Sequence, residues 1–282
     1  MRWQDLRPSS NVQDIRGMGG RGIALGGGGL GAIVLAIIAC LMGADPSEIL
    51  QGVLPGDAQQ QQQQQQPGPA ANRATGGPSD QNEAFARRVL GSTEDAWREI
   101  LPAQTRRNYR EPVLVLYSGQ VSSACGYGAT AMGPFYCPGD QKLYLDFDFF
   151  QELKNEFRAP GDFAQAYVIA HEVGHHVQNL LGTMAKVQRQ GQNNQLSVAL
   201  ELQADCYAGI WANHAQKRGV VEAGDPEEAL RAAAAVGDDM IQRRTQGYVV
   251  PESFTHGTAQ QRQQAFAIGM KSGNMRQCEV FK

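Results

Sequence analysis

The sequence contains no run of basic residues longer than two, and its net charge is small and negative. Lys and Arg together number 25, against 28 Asp and Glu, which gives a formal net charge of −3. A nucleic-acid-binding surface needs a basic patch or stripe. We therefore expect no nucleic-acid partner.

Charge is missing altogether from residues 22–44, and no Lys or Arg follows until Arg73. Such a stretch is long enough to cross a bilayer as a helix. Before it lie four arginines: Arg2, Arg7, Arg16 and Arg21. Because basic residues stay on the cytoplasmic side, the pattern predicts a cytoplasmic segment at 1–21 and a single-pass signal anchor at 22–44 in the cell (inner) membrane. Everything that follows is expected to be periplasmic or extracellular.

Two other export signals compete with the anchor. A cleaved signal peptide has a shorter apolar region and a small-residue cleavage site. A lipoprotein is cut just before a cysteine, and residues 37–40, Ile-Ile-Ala-Cys, resemble such a site at Cys40. The polar leader of 21 residues is long for either alternative, which favours the uncleaved anchor.

Residues 55–82 have little hydrophobic content and include eight consecutive glutamines, at 59–66. A Gln-, Pro- and Gly-rich stretch cannot bury enough apolar surface to fold. We therefore expect a disordered linker at 45–82, acting as a tether rather than as a self-association tract. The folded domain is then expected at 83–282.

Within that domain the hydrophobic spacing predicts mostly helices. We expect them at 83–100, at 148–157, from Asp162 as a cap through 163–181, at 194–217, at 225–244, and from Thr258 to about Met270. The β-branched run VLVLY and the run KLYLDF (142–147) predict strands. The expected fold class is α+β, predominantly helical, with a small sheet placed before the histidine-containing helix.

The segment HEVGHHVQ holds three of the five histidines in the chain. His171 and His175 stand at i and i+4 of the predicted helix, so both imidazoles can reach one metal ion. Glu172 lies beside the first of them, where its carboxylate can accept a proton from an attacking water. His176 is rotated about 140° from His171 around the helix, and we expect it to pack or to support the site rather than to bind the metal.

A catalytic zinc site needs three protein ligands and an open position. The third ligand could come from His214, from His256 or from an acidic residue downstream. The segment ELQADCYAG offers Glu201 and Asp205 one turn apart on an apolar helix, where carboxylates need partners. If Glu201 binds the metal, Asp205 can hydrogen-bond a ligand imidazole. His214 lies about 20 Å further along that helix and is excluded.

An HExxH motif followed by ExxxD on a later helix resembles the glutamate-zincin pattern. The closer resemblance is to the bacterial neutral zinc metallopeptidases with an N-terminal membrane anchor. It extends over nearly the whole chain apart from the Gln-rich linker, and its segments are MRWQDLR, GPFYCPGDQKLYLD, GDFAQAYVIAHEVGHHVQ, ELQADCYAG and SFTHGTAQQR. The resemblance implies a zincin-like peptidase fold, Zn²⁺ bound by His171, His175 and Glu201, and Glu172 as general base.

The segment THGTAQQR also resembles the T-H-P-x-x-x-x-R segment of membrane metallopeptidases related to the prenyl-protein proteases. That resemblance implies that His256 hydrogen-bonds the developing oxyanion. It also implies that Arg262 pairs with Asp205 behind the metal. Gly257 stands where that pattern has proline, so the resemblance is weaker here.

Disulfides are permitted if the domain lies outside the cytoplasm. Cys125 and Cys137 flank a Gly-rich stretch before a strand and are the natural pair, and Cys206 could then bond Cys278. Three pairings of these four cysteines are formally available, and a cytoplasmic location would leave all four reduced. By analogy with zincins, which hold peptides along a sheet edge, KLYLDF is the candidate edge strand.

Together these observations predict a membrane-anchored zinc metallopeptidase that hydrolyses peptides or proteins. The alternative is a zinc-stabilised scaffold or adaptor that binds proteins at the membrane without cutting them. A structural zinc site has no need of Glu172, and it is more often closed by a fourth Cys or His. The peptidase is therefore favoured.

Overall fold

The computed structural model describes residues 1–17, 78–129, 132–191 and 193–281. The strands are β1 (Val12–Asp14), β2 (Val113–Tyr117), β3 (Gln120–Ser123), β4 (Gly126–Ala129), β5 (Phe135–Cys137) and β6 (Lys142–Asp146). The helices are α1 (Pro78–Thr105), α2 (Asp148–Asn155), α3 (Asp162–Leu181), α4 (Thr183–Arg189), α5 (Asn194–Lys217), α6 (Asp225–Ala235), α7 (Asp238–Thr245) and α8 (Ala259–Ser272). The fold is thus α+β and mostly helical, which confirms the predicted class.

One four-stranded sheet lies ahead of the histidine-containing helix in the chain. Its strand order is β1-β2-β6-β5, with β1, β2 and β6 parallel and β5 antiparallel to β6. The prediction that KLYLDF forms an edge strand is wrong, because β6 lies between β2 and β5. Leu143, Tyr144 and Leu145 are all buried, as expected of a strand covered on both faces. The edges of this sheet are β1 and β5, and β3 and β4 form a separate hairpin.

The hydrophobic core fills the space between the sheet and helices α1, α3, α5 and α8. Its largest buried side chains include stacked Phe163 and Trp211, whose ring centroids are 5.5 Å apart, and Trp97, which meets Tyr207 edge to face. Aromatic pairs of this kind stabilise a core beyond the area that they bury. The first pair holds α3 against α5, the two helices that carry the predicted metal ligands, and the second holds α1 against α5.

Helices α3 and α5 approach so closely that Gly174 has no room for a side chain. A Cβ atom there would lie 2.8 Å from the carbonyl oxygen of Ala204. The second variable position of the HExxH motif is therefore a packing position, where glycine lets two backbones come close together. As a result, the segments HEVGH and ELQAD face each other across the helix contact.

The N-terminal segment is part of the folded domain. The α-ammonium group of Met1 is fully buried and lies 2.9 Å from Asp162, 3.0 Å from Asp225 and 3.3 Å from Glu222. Burial lowers the pKa of this group, but the carboxylates of Asp162 and Asp225 outweigh that effect and raise it to about 10. Asp162 therefore serves as an ion-pair partner in the first turn of α3, and Gly161 takes the cap position that was predicted for Asp162.

Further contacts continue along the N-terminal segment. Arg7 pairs with Glu94 and Asp95 of α1, each at 2.8 Å, and β1 extends the sheet beside β2. Residues 1–14 therefore share one sheet and one core with the domain, although the predicted boundaries assign them to a separate segment at 1–21.

The predicted anchor at 22–44 and the linker up to residue 77 lie outside the described residues. Helix α1 begins at Pro78, before the predicted domain boundary at residue 83. Among the described residues, no helix is both long and apolar enough to cross a membrane.

The predicted helix at 225–244 is interrupted and forms two helices, α6 and α7. The break occurs at Gly237, where a Cβ atom would overlap the backbone of Ala259. The spacing of apolar residues does not reveal this break, because the backbone that lies against Gly237 belongs to a distant segment. That segment is the loop at 254–258, which contains His256, together with the first residue of α8.

Two disulfides join the cysteine pairs that were favoured from the sequence. Cys125 bonds Cys137, which ties the β3–β4 turn to the end of β5, and Cys206 of α5 bonds Cys278 near the C-terminus. A disulfide that closes a long loop restricts the unfolded chain most. The second bond spans 72 residues and fixes the C-terminal segment beneath α5.

Candidate metal centre

Helices α3 and α5 bring His171, His175 and Glu201 together. Nε2 of His171 lies 3.2 Å from one carboxylate oxygen of Glu201, and Nε2 of His175 lies 3.4 Å from the other. One ligand atom from each residue lies within 4.8 Å of the other two. The histidines come from α3 and the carboxylate from α5, so the site forms only when these two helices pack.

The donor set and its spacing fit zinc. Zinc takes imidazole nitrogen and carboxylate oxygen ligands at about 2.0–2.2 Å in tetrahedral geometry. Two atoms at that distance from one ion and at the tetrahedral angle are about 3.4 Å apart. The separations of 3.2 and 3.4 Å, each from one imidazole to a different oxygen of Glu201, are of this size. Three protein ligands also leave the fourth position for water and substrate, as in catalytic sites.

The pocket favours a cation. Burial by itself would lower the pKa of His171, but Asp205 and Glu201 outweigh it and raise this pKa to about 10. Burial tends to raise the pKa of Glu201, yet the two histidines hold it well below its usual range. Two carboxylates around the imidazoles thus make the site electrostatically suited to a positive ion.

Asp205 lies directly behind His171. Its Oδ1 accepts a hydrogen bond from His171 Nδ1 at 2.8 Å and from the Tyr167 hydroxyl at 2.5 Å. Arg262 of α8 donates to both oxygens of the same carboxylate, from Nε at 2.8 Å and from Nη2 at 3.0 Å. Because Nδ1 of His171 donates to Asp205, Nε2 is the nitrogen that faces Glu201 and is available to a metal. Partners of this kind fix the tautomer of a ligand histidine.

Gln178 takes the corresponding place behind His175. Nδ1 of His175 lies 2.9 Å from Oε1 of Gln178, whose side chain is fully buried. Gln178 was not among the predicted site residues. Its signal was present, since residues three apart on a helix are neighbours on one face and Gln178 follows His175 by three. Tyr167 was not predicted either, although it precedes His171 by four residues and therefore lies on the same face of α3.

Glu172 is buried beside the two histidines, with 8% of its surface exposed. Burial raises the pKa of this carboxyl above its ordinary value, although the histidines act in the opposite direction. A carboxylate with a raised pKa is a better proton acceptor near neutral pH. Glu172 is thus a buried carboxyl of raised pKa that senses both histidines of the candidate metal centre.

His176 faces away from the other two histidines of the motif. Its Nε2 donates to the backbone carbonyl of Arg110 at 2.6 Å, and its Nδ1 accepts from the Tyr136 hydroxyl at 3.0 Å. Burial lowers its pKa to about 4, so it stays neutral. His176 thus ties α3 to β5 and to the segment before β2. His214, excluded as a ligand, lies 3.1 Å from Glu99 of α1.

His256 lies in the loop before α8, with 47% of its side chain exposed. Asp238, at the start of α7, holds this loop. One oxygen of Asp238 accepts the backbone N–H groups of Thr255, His256 and Gly257 at 2.6–3.0 Å, and the other lies 3.2 Å from Nδ1 of His256. Although desolvation lowers the pKa of His256, Asp238 and Glu201 raise it overall. Asp238 was not among the predicted site residues.

Gly257 explains why this loop departs from the T-H-P pattern. Its φ angle is +88°, which proline cannot adopt because its ring fixes φ near −65°. A Cβ atom at this position would lie 3.2 Å from Val198 and 3.4 Å from Leu202. Both residues neighbour Glu201 on α5, so the loop lies against the helix that carries the third ligand.

A second group of acidic side chains among the described residues also has metal-like spacing. It consists of Asp162, Asp225 and Glu228. The ammonium group of Met1 lies on Asp162 and Asp225, and Oε2 of Glu228 accepts the backbone N–H of Phe163 at 3.1 Å. These carboxylates therefore already have partners in the chain, and they stabilise the fold.

Comparisons with known proteins agree with the donor set. The family model described as putative neutral zinc metallopeptidase matches residues 1–281. The uncharacterized protein YpfJ of Escherichia coli K12 is 45% identical over 295 aligned positions, covering 100% of this chain and 99% of its own length. The uncharacterized protein Mb2605 of Mycobacterium bovis is 42% identical, covering 86% of this chain and 85% of its own length. The uncharacterized protein Rv2575 of Mycobacterium tuberculosis H37Rv shows the same identity and coverage. No solved structure matches the chain. The chain belongs to the putative neutral zinc metallopeptidase family.

Proposed function

We propose that the protein is a zinc-dependent peptidase with a zincin-like active site. The observation that carries this proposal is the convergence of His171, His175 and Glu201 with Glu172 next to the first ligand. Three ligands and an adjacent buried carboxylate are what metal-assisted hydrolysis requires. A closed structural site would have no use for Glu172.

Each residue of the site then has a proposed role in hydrolysis. Zinc, when bound, supplies Lewis acidity to the scissile carbonyl and to the attacking water. Glu172 accepts the proton that this water loses and passes it to the departing amine. Asp205 and Gln178 keep the two imidazoles in the orientation that presents Nε2 to the ion.

His256 is proposed to stabilise the oxyanion that forms on the carbonyl. A donor aimed at the developing negative charge lowers the barrier most when it is held in place beforehand. Asp238 holds the His256 backbone and imidazole, and the loop lies on α5 beside Glu201. This role rests on the resemblance of THGTAQQR to other membrane metallopeptidases and on the position of the loop.

Removal of the metal tests the proposed function directly. Purified protein is expected to contain about one zinc per chain and to cleave casein or a mixed peptide library. A zinc chelator should abolish the cleavage, and added Zn²⁺ should restore it. Stoichiometric zinc without chelator-sensitive cleavage would favour the scaffold alternative instead.

We propose further that the folded domain works in an oxidising compartment, the periplasm or the cell exterior, close to the membrane. The two disulfides support this location, and the packing of residues 1–14 against the domain supports the same compartment for the N-terminal segment. Protein isolated and denatured without reductant should then have only Cys40 free to react with a thiol reagent. Reaction of all five cysteines would contradict the proposal and indicate a reducing compartment.

A further inference from the structure

Two buried glutamines connect a metal ligand to the C-terminal segment. Nε2 of Gln178 lies 2.7 Å from the carbonyl oxygen of Leu200 and 3.1 Å from Oε1 of Gln203. Nε2 of Gln203 in turn lies 3.1 Å from the carbonyl oxygen of Cys278. The exposed fractions of the two glutamines are 0% and 4%. Buried amides with every polar atom in a short contact form a connected network.

The two backbone carbonyls determine the direction of each hydrogen bond. A carbonyl oxygen only accepts, so the Cys278 carbonyl requires the NH₂ group of Gln203, and the Leu200 carbonyl requires the NH₂ group of Gln178. The oxygen of Gln203 then faces Gln178, and the oxygen of Gln178 faces His175. Since that oxygen can only accept, Nδ1 of His175 must carry the proton.

We propose that Gln178 and Gln203 form an amide relay that positions His175, with its Nε2 presented to the metal, by reference to the backbone of α5 and the C-terminal segment. The proposal rests on the proposed zinc site and extends it. In this arrangement, Gln178 and Gln203 are positioning residues that do not touch the substrate. The hydrogen-bond acceptor of Nδ1 is the charged carboxylate of Asp205 in His171 and the neutral amide of Gln178 in His175.

The Cys206–Cys278 disulfide completes the relay. Gln203 and Cys206 lie three residues apart on α5 and therefore on the same face of the helix. The disulfide attaches Cys278 to that face, which keeps the Cys278 carbonyl under the amide of Gln203. The C-terminal segment thus has a role at the metal centre, although it contributes no ligand.

The test compares zinc affinity in Gln178→Met, Gln203→Met and a matched control, Asn179→Ala. Methionine keeps the length of glutamine and removes its hydrogen bonds. Asn179 is the next residue on α3, and its amide donates to the Tyr136 hydroxyl at 2.9 Å, away from the ligands. Zinc binding is measured without substrate, by competition with a chromophoric chelator. Folding is checked by circular dichroism of the chelated proteins.

Gln178→Met is expected to weaken zinc binding by about ten- to a hundredfold, the usual cost of losing a partner of a ligand histidine. Gln203→Met should cause a smaller loss, because the Leu200 carbonyl still orients Gln178, and Asn179→Ala should cause none. Wild-type affinity in a folded Gln178→Met protein would overturn the relay.

A second measurement does not depend on the variants or on bound zinc. In ¹⁵N-resolved NMR of the wild type, with or without chelator, Nδ1 of His175 should carry a slowly exchanging proton. Absence of that proton would overturn the proposal even if Gln178→Met fails to fold. Neither readout involves peptide cleavage, so a failure of the peptidase proposal is seen separately, in the Glu172→Gln protein.

Discussion

Glu172→Gln is expected to bind zinc as tightly as the wild type and to lose about a hundredfold to ten-thousandfold in kcat. Glutamine keeps the size of the side chain, and Glu172 is not one of the three residues that converge on the ion. An amide cannot accept the proton that the attacking water loses. Zinc content by atomic spectroscopy and kcat on one fluorogenic peptide give the two readouts on the same preparation.

His256→Ala provides the comparison for this experiment. It should also retain zinc, and it should lose about a hundredfold to a thousandfold in kcat if His256 donates to the oxyanion. Undiminished kcat in His256→Ala would remove that residue from the mechanism and leave Glu172 in place. Undiminished kcat in Glu172→Gln would contradict the proposed hydrolytic mechanism itself.

Arg262→Met is expected to lower the free energy of unfolding by about 3–5 kcal/mol, the usual cost of leaving a buried charge without its partner. Asp205 is fully buried and Arg262 is 4% exposed. Asp205 would still accept hydrogen bonds from His171 and Tyr167, but it would lose the buried guanidinium that donates to both of its oxygens. Urea unfolding of the chelated protein isolates this effect from the contribution of zinc.

Arg98→Met serves as the matched control, because it makes the same substitution in an exposed ion pair. Arg98 Nε lies 2.6 Å from Glu111, and the arginine side chain is 47% exposed. Solvent screens such a pair, so the loss should be below about 1 kcal/mol. Equal losses in the free energy of unfolding would mean that the buried Arg262–Asp205 pair stabilises the fold no more than an exposed ion pair does.

The metal ligands could be predicted because helical periodicity is local. Positions i and i+4 of one helix share a face wherever the helix lies, so His171 and His175 were paired and His176 was separated from the residues alone. Glu201 followed from a second local pattern, an acidic pair on an apolar helix. The distance between the two helices was not local, and it depends on the contact of Gly174 with Ala204.

The N-terminal segment shows what local patterns leave out. Four arginines before an uncharged stretch predict that residues 1–21 lie on the cytoplasmic side of a membrane. Three of them have contacts within the folded domain that this pattern does not reveal, namely Arg2 with the carbonyl of Gly219, Arg7 with Glu94 and Asp95, and Arg16 with Asp14 and Glu83. A charge that neutralises a neighbouring carboxylate and one that faces the cytoplasm look alike in the sequence.

The sequence by itself determined the class of fold, the three residues that converge at the candidate metal centre and the cysteine pairs, since each depends on residue type and on spacing along a single element. The tertiary structure decided how the glutamines behind His175 are connected. Gln178 and Gln203 orient His175 only because the carbonyls of Leu200 and Cys278 lie within hydrogen-bond distance of them. It also decided that β6 is internal, that a loop interrupts the helix at Gly237, and that residues 1–14 belong to the domain. These features arise from contacts between segments far apart in the chain, which no local spacing encodes.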